Sequence, residues 1–350
     1  VRKPHIQVPE VVRMKPGALE RLGLYLARPG LRKVLLLHSE GLLSSILDQA
    51  RASLAAYEVE LLATAEVTEA SVENAVERLG ALPKGAQAIA GLGGGKALDV
   101  AKYVAALAGL PYYAVPTSVS NDGFCSPQAS LTLRGRRKSL PTGLPYAVIV
   151  DLEVCAGAPV PLWHSGVGDL TAKLTAVTDW KLAFHARGTP VNDLAALLSD
   201  ATVYQFLASP TRDAEGIRLL ATALMLNGVA MEIAGSSRPA SGSEHLISHA
   251  LDTVAARPAL HGLQTGTAAY LISRIQGRGQ HERIAQVFVH TRFWESVRQA
   301  PFSLADWRAA VALAPSVKDD FHTILSERDC WPEMEAWITQ DPQLQGCFTR

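Results

Sequence analysis

Through about residue 155, segments with an apolar residue every three or four positions alternate with short, nearly continuous apolar runs. GALERLGLYLA has helical spacing, KVLLLHS is a compact run, and EGLLSSILDQARASLAAY returns to the helical period. SVENAVERLGAL and KALDVAKYVAALAG repeat the helical pattern, while AQAIAGLGGG and PYYAVPTS repeat the run. Continuous apolar runs suit strands covered on both faces, so the alternation predicts a parallel sheet with helices on either side. RGRRKSLPTGLPYAVIVD adds a hairpin or turn and one more strand.

After Asp151 the pattern changes. APVPLWHSGVGD is rich in Pro and Gly, and the rest reads almost entirely as helices, among them LTAKLTAVTDWKLAFHA, AEGIRLLATALMLNGVAMEIA and SEHLISHALDTV. The expected organisation is an α/β domain over 1–156 followed by an all-α domain over 157–350, with the Pro-rich turn carrying the chain off the sheet. The apolar stretch LLATALMLNGVAMEIAG is interrupted by Asn227 and Glu232. It is shorter than the roughly 20 residues that span a bilayer, and reads as a buried core helix.

Composition narrows the partners. The 350 residues carry 33 Lys plus Arg and 33 Asp plus Glu, so no net basic field draws the chain to nucleic acid or to an anionic membrane. A small-molecule partner is expected. Cys125, Cys155, Cys330 and Cys347 have neither CxxC spacing nor the density of a disulfide framework, which fits a reducing compartment. The opening VRKPHIQVPE lacks the apolar core of a signal peptide, and a cytoplasmic location is expected.

GLGGGKALD, residues 91–99, stands where a strand passes into a helix. Glycines there let backbone N–H groups approach a phosphate, and the helix N-terminus adds a favourable dipole. A P-loop requires Gly at position 90 and Ser or Thr at 97, but both are Ala; the GxGxxG fingerprint meets Lys96 in place of its last Gly. A tight turn without a ligand is the alternative. PTSVSNDGFCSP, residues 116–127, follows the next strand and leaves the same carboxyl edge of the sheet, where such folds bind ligands. Its Thr117, Ser118, Ser120 and Ser126 are hydrogen-bond donors and its Asp122 an acceptor.

GSEHLISHALDTVAARPALHG carries three of the ten histidines, His245, His249 and His261. The first two are four apart in a helical segment and share a face, with Cβ atoms about 5–6 Å apart. His261 follows the break ARPA and can fold back toward them. Asp169 follows the small residues of HSGVGD and is expected to open a helix, where a capping role alone would account for it. One carboxylate with two or three imidazoles suits zinc or another divalent first-row metal, with packed histidines as the alternative. Leu246 stands where HExxH has its glutamate, so a metalloprotease is not indicated. His164, His185, His281, His290 and His322 are scattered, with no obvious acidic neighbour.

Taken in order, GGGKALDVAKY, VPTSVSNDGFCSP, GVGDLTAKLTAVTDWKLA, SSRPASGSEHLISHALD and HGLQTG resemble the sn-glycerol-1-phosphate dehydrogenase family. That family lies within the larger group of iron- or zinc-containing alcohol dehydrogenases, glycerol dehydrogenase and dehydroquinate synthase. The resemblance implies a Rossmann-like nicotinamide domain before a helical metal domain, the dehydroquinate-synthase-like fold. It implies that Gly93, Gly94, Gly95, Lys96 and Ala97 hold the NAD or NADP pyrophosphate, with Thr117, Ser118, Val119, Ser120 and Ser126 lining the cofactor. Asp169, His245 and His261 would ligate zinc, nickel or iron, and Asp122, Asp169 and His249 would face a triose phosphate. The implied reaction interconverts dihydroxyacetone phosphate and sn-glycerol 1-phosphate in a homodimer or larger assembly. Lys173 and Arg238 are candidate phosphate contacts by position. Two departures from the family pattern, Asn121 before the substrate-facing Asp and Leu263 in HGLQTG, lie beside the site. An unphosphorylated polyol dehydrogenase and a dehydroquinate-synthase-like cyclase are the alternative reactions.

Overall fold

The computed structural model describes residues 6–349. The leaderless reading of the N-terminus falls partly on residues 1–5, outside the described residues. Two compact units result: one runs to Ala158 and takes in Arg212–Glu232, and the other comprises Pro159–Thr211 and the chain from Ile233 onward.

The first unit holds β1 (Val11–Lys15), α1 (Leu22–Ala27), β2 (Lys33–Ser39), α2 (Ser44–Ala56), β3 (Glu60–Val67), α3 (Val72–Gly80), β4 (Ala88–Gly93), α4 (Gly95–Ala108) and β5 (Tyr112–Pro116). The hairpin β6 (Gln128–Leu133) and β7 (Arg136–Pro141) follows, then β8 (Ala147–Asp151) and α5 (Leu152–Ala156). Six strands form one sheet in the order β1-β8-β5-β4-β2-β3, every pair parallel. β4, β5 and β8 are buried at every position, as continuous apolar runs demand of central strands. Two apolar clusters, one around Leu36 and Tyr113 and one around Leu37 and Val104, fill the space between strands and helices. β1 and β3 lack such runs because they lie at the edges and stay partly exposed.

From β3 the chain crosses β2 to enter β4, so the carboxyl ends of β2 and β4 flank a point where the strand order reverses. The hairpin turn at Arg134 (φ 50°) and Gly135 (φ 74°) has both central residues left-handed, as two-residue hairpins prefer. Arg136, Arg137 and Lys138 are exposed along β7.

The second unit is helical. Its core elements are α6 (Val160–Arg187), α7 (Asp193–Leu207), α9 (Ser243–Val254) and α10 (His261–Gln276), and α8 (Ala214–Ala234) between them in sequence belongs chiefly to the first unit. α8 is the one described helix long and apolar enough to cross a membrane, and 61% of its apolar window is buried.

α6 corrects the reading of HSGVGD. Pro159 and Pro161 sit at the N-cap and first turn, where proline is tolerated, and the helix continues unbroken through Gly166 and Gly168. Asp169 therefore lies inside a 28-residue helix and caps nothing. Gly168 serves helix packing: a Cβ on it would stand 2.0 Å from Gly262 O, and one on Gly266 2.6 Å from Gly168 Cα.

Candidate metal centre and cofactor loops

In the first unit, β4 ends at Gly93, and Gly94 caps α4. Gly93 has φ 137°, and a Cβ there would stand 2.1 Å from Ser39 Oγ at the end of β2. Gly94 N donates to that same Oγ at 2.8 Å. A side chain at Gly93 is thus excluded by both conformation and space. The loop after β5 lies alongside, with Thr117 N donating to Gly93 O at 3.1 Å. Lys96 is exposed, Ala97, Ser118, Val119 and Ser126 are buried, and Thr117 and Ser120 are intermediate.

The sequence reading missed what fixes the second loop. Buried Lys102 of α4 donates to Gly123 O at 2.6 Å and Gln128 O at 2.8 Å, and pairs with Asp99 at 3.3 Å. Burial raises the Asp99 carboxyl above its ordinary range, against the opposing charges of Lys102 and Arg137. On α8, a Cβ at Gly228 would stand 2.0 Å from Cys125 O, so that helix braces the loop through its backbone. Asn121 Oδ1 accepts from Gly123 N at 2.8 Å and caps the 3₁₀ turn that carries Asp122. Ser126 Oγ is engaged by Gln128 N and O, both at 3.2 Å. A lysine one helical turn after an aspartate was the available signal for this brace.

In the second unit, α6, α9 and α10 bring Asp169, His245 and His261 together so that one ligand atom from each lies within 4.8 Å of the others. Asp169 Oδ1 is 3.3 Å from His245 Nε2 and 3.9 Å from His261 Nε2. A tetrahedron with bonds of about 2.1 Å has edges of about 3.4 Å, so the donor set fits zinc with a fourth position to spare. Both histidines point Nε2 at the carboxylate because Nδ1 is held behind: His245 Nδ1 by Glu244 Oε1 at 2.9 Å, His261 Nδ1 by Ser248 Oγ at 3.0 Å. The His249 ring is 6.4 Å from that of His245 and stacks on that of His261 at 5.9 Å. All three histidines therefore line one place.

Burial opposes ionisation of Asp169, yet Lys173, with Nζ at 3.0 Å, and the two histidines hold its carboxyl well below the ordinary range. His245 is likewise desolvated, but its bonds to Asp169 and Glu244 raise its pKa. Lys173 Nζ also donates to Ala240 O at 3.2 Å, and Arg238 is spent on His322 O and Asp320 O at 2.6 and 3.2 Å. These two cations serve the protein's own carboxylate and backbone. Leu263, buried in α10, adds no ligand.

Among the remaining histidines, His164 is buried with both nitrogens bonded, to Ser296 Oγ and Thr291 O at 2.7 Å each, and is structural. His322 does have an acidic neighbour, Glu327 at 3.3 Å, formed across a turn the sequence pattern did not show.

The sequence matches the family model for iron-containing alcohol dehydrogenases over residues 13–159. Curated relatives named glycerol-1-phosphate dehydrogenase [NAD(P)+] include that of Thermofilum pendens, 40% identical over 77% of this chain and 79% of its own. That of Aeropyrum pernix is 36% identical over 92% and 93%, and that of Methanothermobacter thermautotrophicus 36% over 78% of each. Among solved structures, a probable glycerol dehydrogenase from Sinorhizobium meliloti aligns over 97% of this chain and 99% of that one, with a TM-score of 0.73 at 20% identity. The glycerol dehydrogenase of Schizosaccharomyces pombe aligns over 99% and 92%, with a TM-score of 0.74 at 16% identity.

Proposed function

The chain belongs to the glycerol-1-phosphate dehydrogenase family, within the iron-containing alcohol dehydrogenases, and from that premise we propose that it reversibly reduces dihydroxyacetone phosphate to sn-glycerol 1-phosphate. It is an NAD(P)-dependent oxidoreductase acting on a secondary alcohol and a small-molecule substrate. The observation that carries the site assignment is the convergence of Asp169, His245 and His261 with His249 stacked beside them.

Asp169, His245 and His261 hold the divalent cation in this reading, zinc by preference, with nickel or iron served by the same donors. When bound, the cation supplies Lewis-acid polarisation of the substrate oxygen, and the nicotinamide supplies or accepts the hydride. His249 gives the proton to that oxygen during reduction and takes it back during oxidation, an exchange suited to an imidazole near neutral pH. Asp122 accepts a hydrogen bond from a substrate hydroxyl. Gly93, Gly94, Gly95, Lys96 and Ala97 receive the pyrophosphate at the N-terminus of α4, where a helix's first-turn N–H groups and dipole favour an anion. Thr117, Ser118, Val119, Ser120 and Ser126 line the cofactor, and uncharged Ser39 leaves both NAD and NADP admissible.

Four free, buried cysteines support a reducing, cytoplasmic setting. We place self-association, as a homodimer or larger, on the helical unit, where Phe184, Leu194 and Leu197 are exposed. Sedimentation tests it.

The test of function is stereospecific turnover by zinc-reconstituted protein, with dihydroxyacetone phosphate, dihydroxyacetone and a blank. Metal-dependent nicotinamide oxidation yielding sn-glycerol 1-phosphate is expected. Production of the 3-phosphate enantiomer, or reaction with dihydroxyacetone alone, would overturn the assignment.

A further inference from the structure

Resting on the metal reading above, the two histidine arms of the centre are built unequally. Behind His261 stands a neutral chain: Ser248 Oγ, 3.0 Å from Nδ1, itself donates to Gln264 Oε1 at 2.7 Å. Since the serine hydroxyl has one proton and gives it to Gln264, it accepts from His261 Nδ1–H. Behind His245 stands a carboxylate with no exposure to solvent, Glu244, whose Oε1 lies 2.9 Å from Nδ1.

We propose that Glu244 is a positioning residue of the metal centre: it accepts the hydrogen bond of His245 Nδ1–H, fixes the tautomer that turns Nε2 toward Asp169, and sets how tightly the site holds a divalent cation. Glu244 is the second residue of α9. Its Oε1 also accepts from Gly242 N at 2.6 Å, the residue that caps the helix. A carboxylate favoured at a helix N-terminus is thereby placed where it also reaches the next residue's imidazole. Its Oε2 faces Thr175 Oγ1 of α6 at 2.9 Å. Gly242 leaves the space, since a Cβ there would stand 2.9 Å from Glu244 Oε2 and 2.8 Å from Asp179 Oδ2. An anionic acceptor strengthens a histidine ligand more than a hydroxyl does, so His245 is the anchor of the site and His261 its weaker arm.

A purely structural Glu244 would be a helix cap, and glutamine separates the two roles. In Glu244→Gln, Oε1 still accepts from Gly242 N and His245 Nδ1. The new amide can donate to Thr175 Oγ1, whose own proton has an alternative acceptor in Ala172 O at 2.8 Å. Only the charge is removed. Zinc affinity, measured by competition with a chromophoric chelator, should weaken about 10- to 100-fold in Glu244→Gln, while the apo melting temperature stays near wild type. Ser248→Ala should weaken it less. Equal zinc affinity in wild type and Glu244→Gln would overturn this inference alone; a wild-type protein that takes up no zinc would overturn the metal reading with it. Should the variant fail to fold, long-range ¹H–¹⁵N spectra of zinc-loaded wild type labelled at histidine decide the matter. His245 should carry its proton on Nδ1, and a proton on Nε2 instead would refute the assignment.

Discussion

Gly168 of α6 and Gly262 of α10 meet backbone to backbone. A Cβ on Gly168 would stand 2.0 Å from Gly262 O, and one on Gly262 would stand 1.7 Å from Ser165 O. The adjacent residues are Asp169 and His261, so the closeness of the two helices sets the distance between two of the three candidate ligands. Gly262 N further donates to Ser165 Oγ at 3.0 Å, which fixes the pair along their axes.

Gly262→Ala should therefore do more than overpack the core. Inserting a methyl at a packed site costs about 1–3 kcal/mol, and against backbone atoms the upper end is expected. The helices must part, and zinc affinity should fall with stability. A denaturant titration paired with zinc competition checks both; lost stability at full zinc affinity would show that the crossing does not set the site.

Lys102 is a second point of leverage, in the first unit. Lys102→Met leaves Asp99 buried without its partner, at a cost of about 3–5 kcal/mol. Adding Asp99→Asn should restore much of that stability without restoring the bonds to Gly123 O and Gln128 O. The double variant should thus melt near wild type and bind NADH several-fold more weakly. NADH fluorescence titration reads this, and wild-type affinity in the double variant would mean the loop holds its shape unaided.

How far these features were legible from the sequence differs by the kind of contact. Strands buried on both faces, such as Lys33–Ser39 and Ala88–Gly93, announced themselves as apolar runs, and the glycine loop and histidine trio as spacings. Glu60–Val67, partly exposed along its length at the sheet edge, did not. HSGVGD reads as the lead-in to a helix because glycine lowers helix propensity, and only tertiary packing shows why Gly168 belongs inside α6. α8 was recognisable as a buried helix, but an apolar sequence does not say which unit buries it. Glu244 and Lys102 read as ordinary charges, since their partners lie on other elements or on the backbone.

Asp179 makes stability pH-dependent. Burial first, then the charge of Glu244, raise its carboxyl to about 6, against hydrogen bonds from Ser243 and Ile324. An acid whose folded pKa exceeds its unfolded value of 3.8 binds its proton more tightly when folded. Its contribution is present in full below about pH 4 and is lost as pH rises through about 6, on the order of 3 kcal/mol in all. Asp179→Asn should be less stable at acidic pH, since its one amide oxygen cannot stand in both for Oδ2, which accepts from Ser243 N and Oγ, and for Oδ1, which accepts from Ile324 N and Gln276 Nε2. The deficit should narrow between pH 5 and 7. A deficit constant across that range in chemical denaturation would refute the assignment.

Removal of Lys173 should make folding depend more strongly on the metal. In the apo protein Lys173 Nζ is the fixed cation beside Asp169 Oδ1, the oxygen that also faces both histidines. Lys173→Met removes the ammonium 3.0 Å from that buried carboxylate, and the apo variant should lose about 3–5 kcal/mol. The same change removes a positive charge that repels an incoming divalent cation. Zinc should then stabilise the variant by more than it stabilises wild type, for which saturation at 100 times the dissociation constant is worth about 2.7 kcal/mol. Melting curves of both proteins with and without zinc, at equal free metal, give the comparison directly. If zinc raised both melting temperatures equally, Lys173 would be a packing residue whose charge the metal does not sense. A larger rise in Lys173→Met would place lysine and cation in competition for one carboxylate.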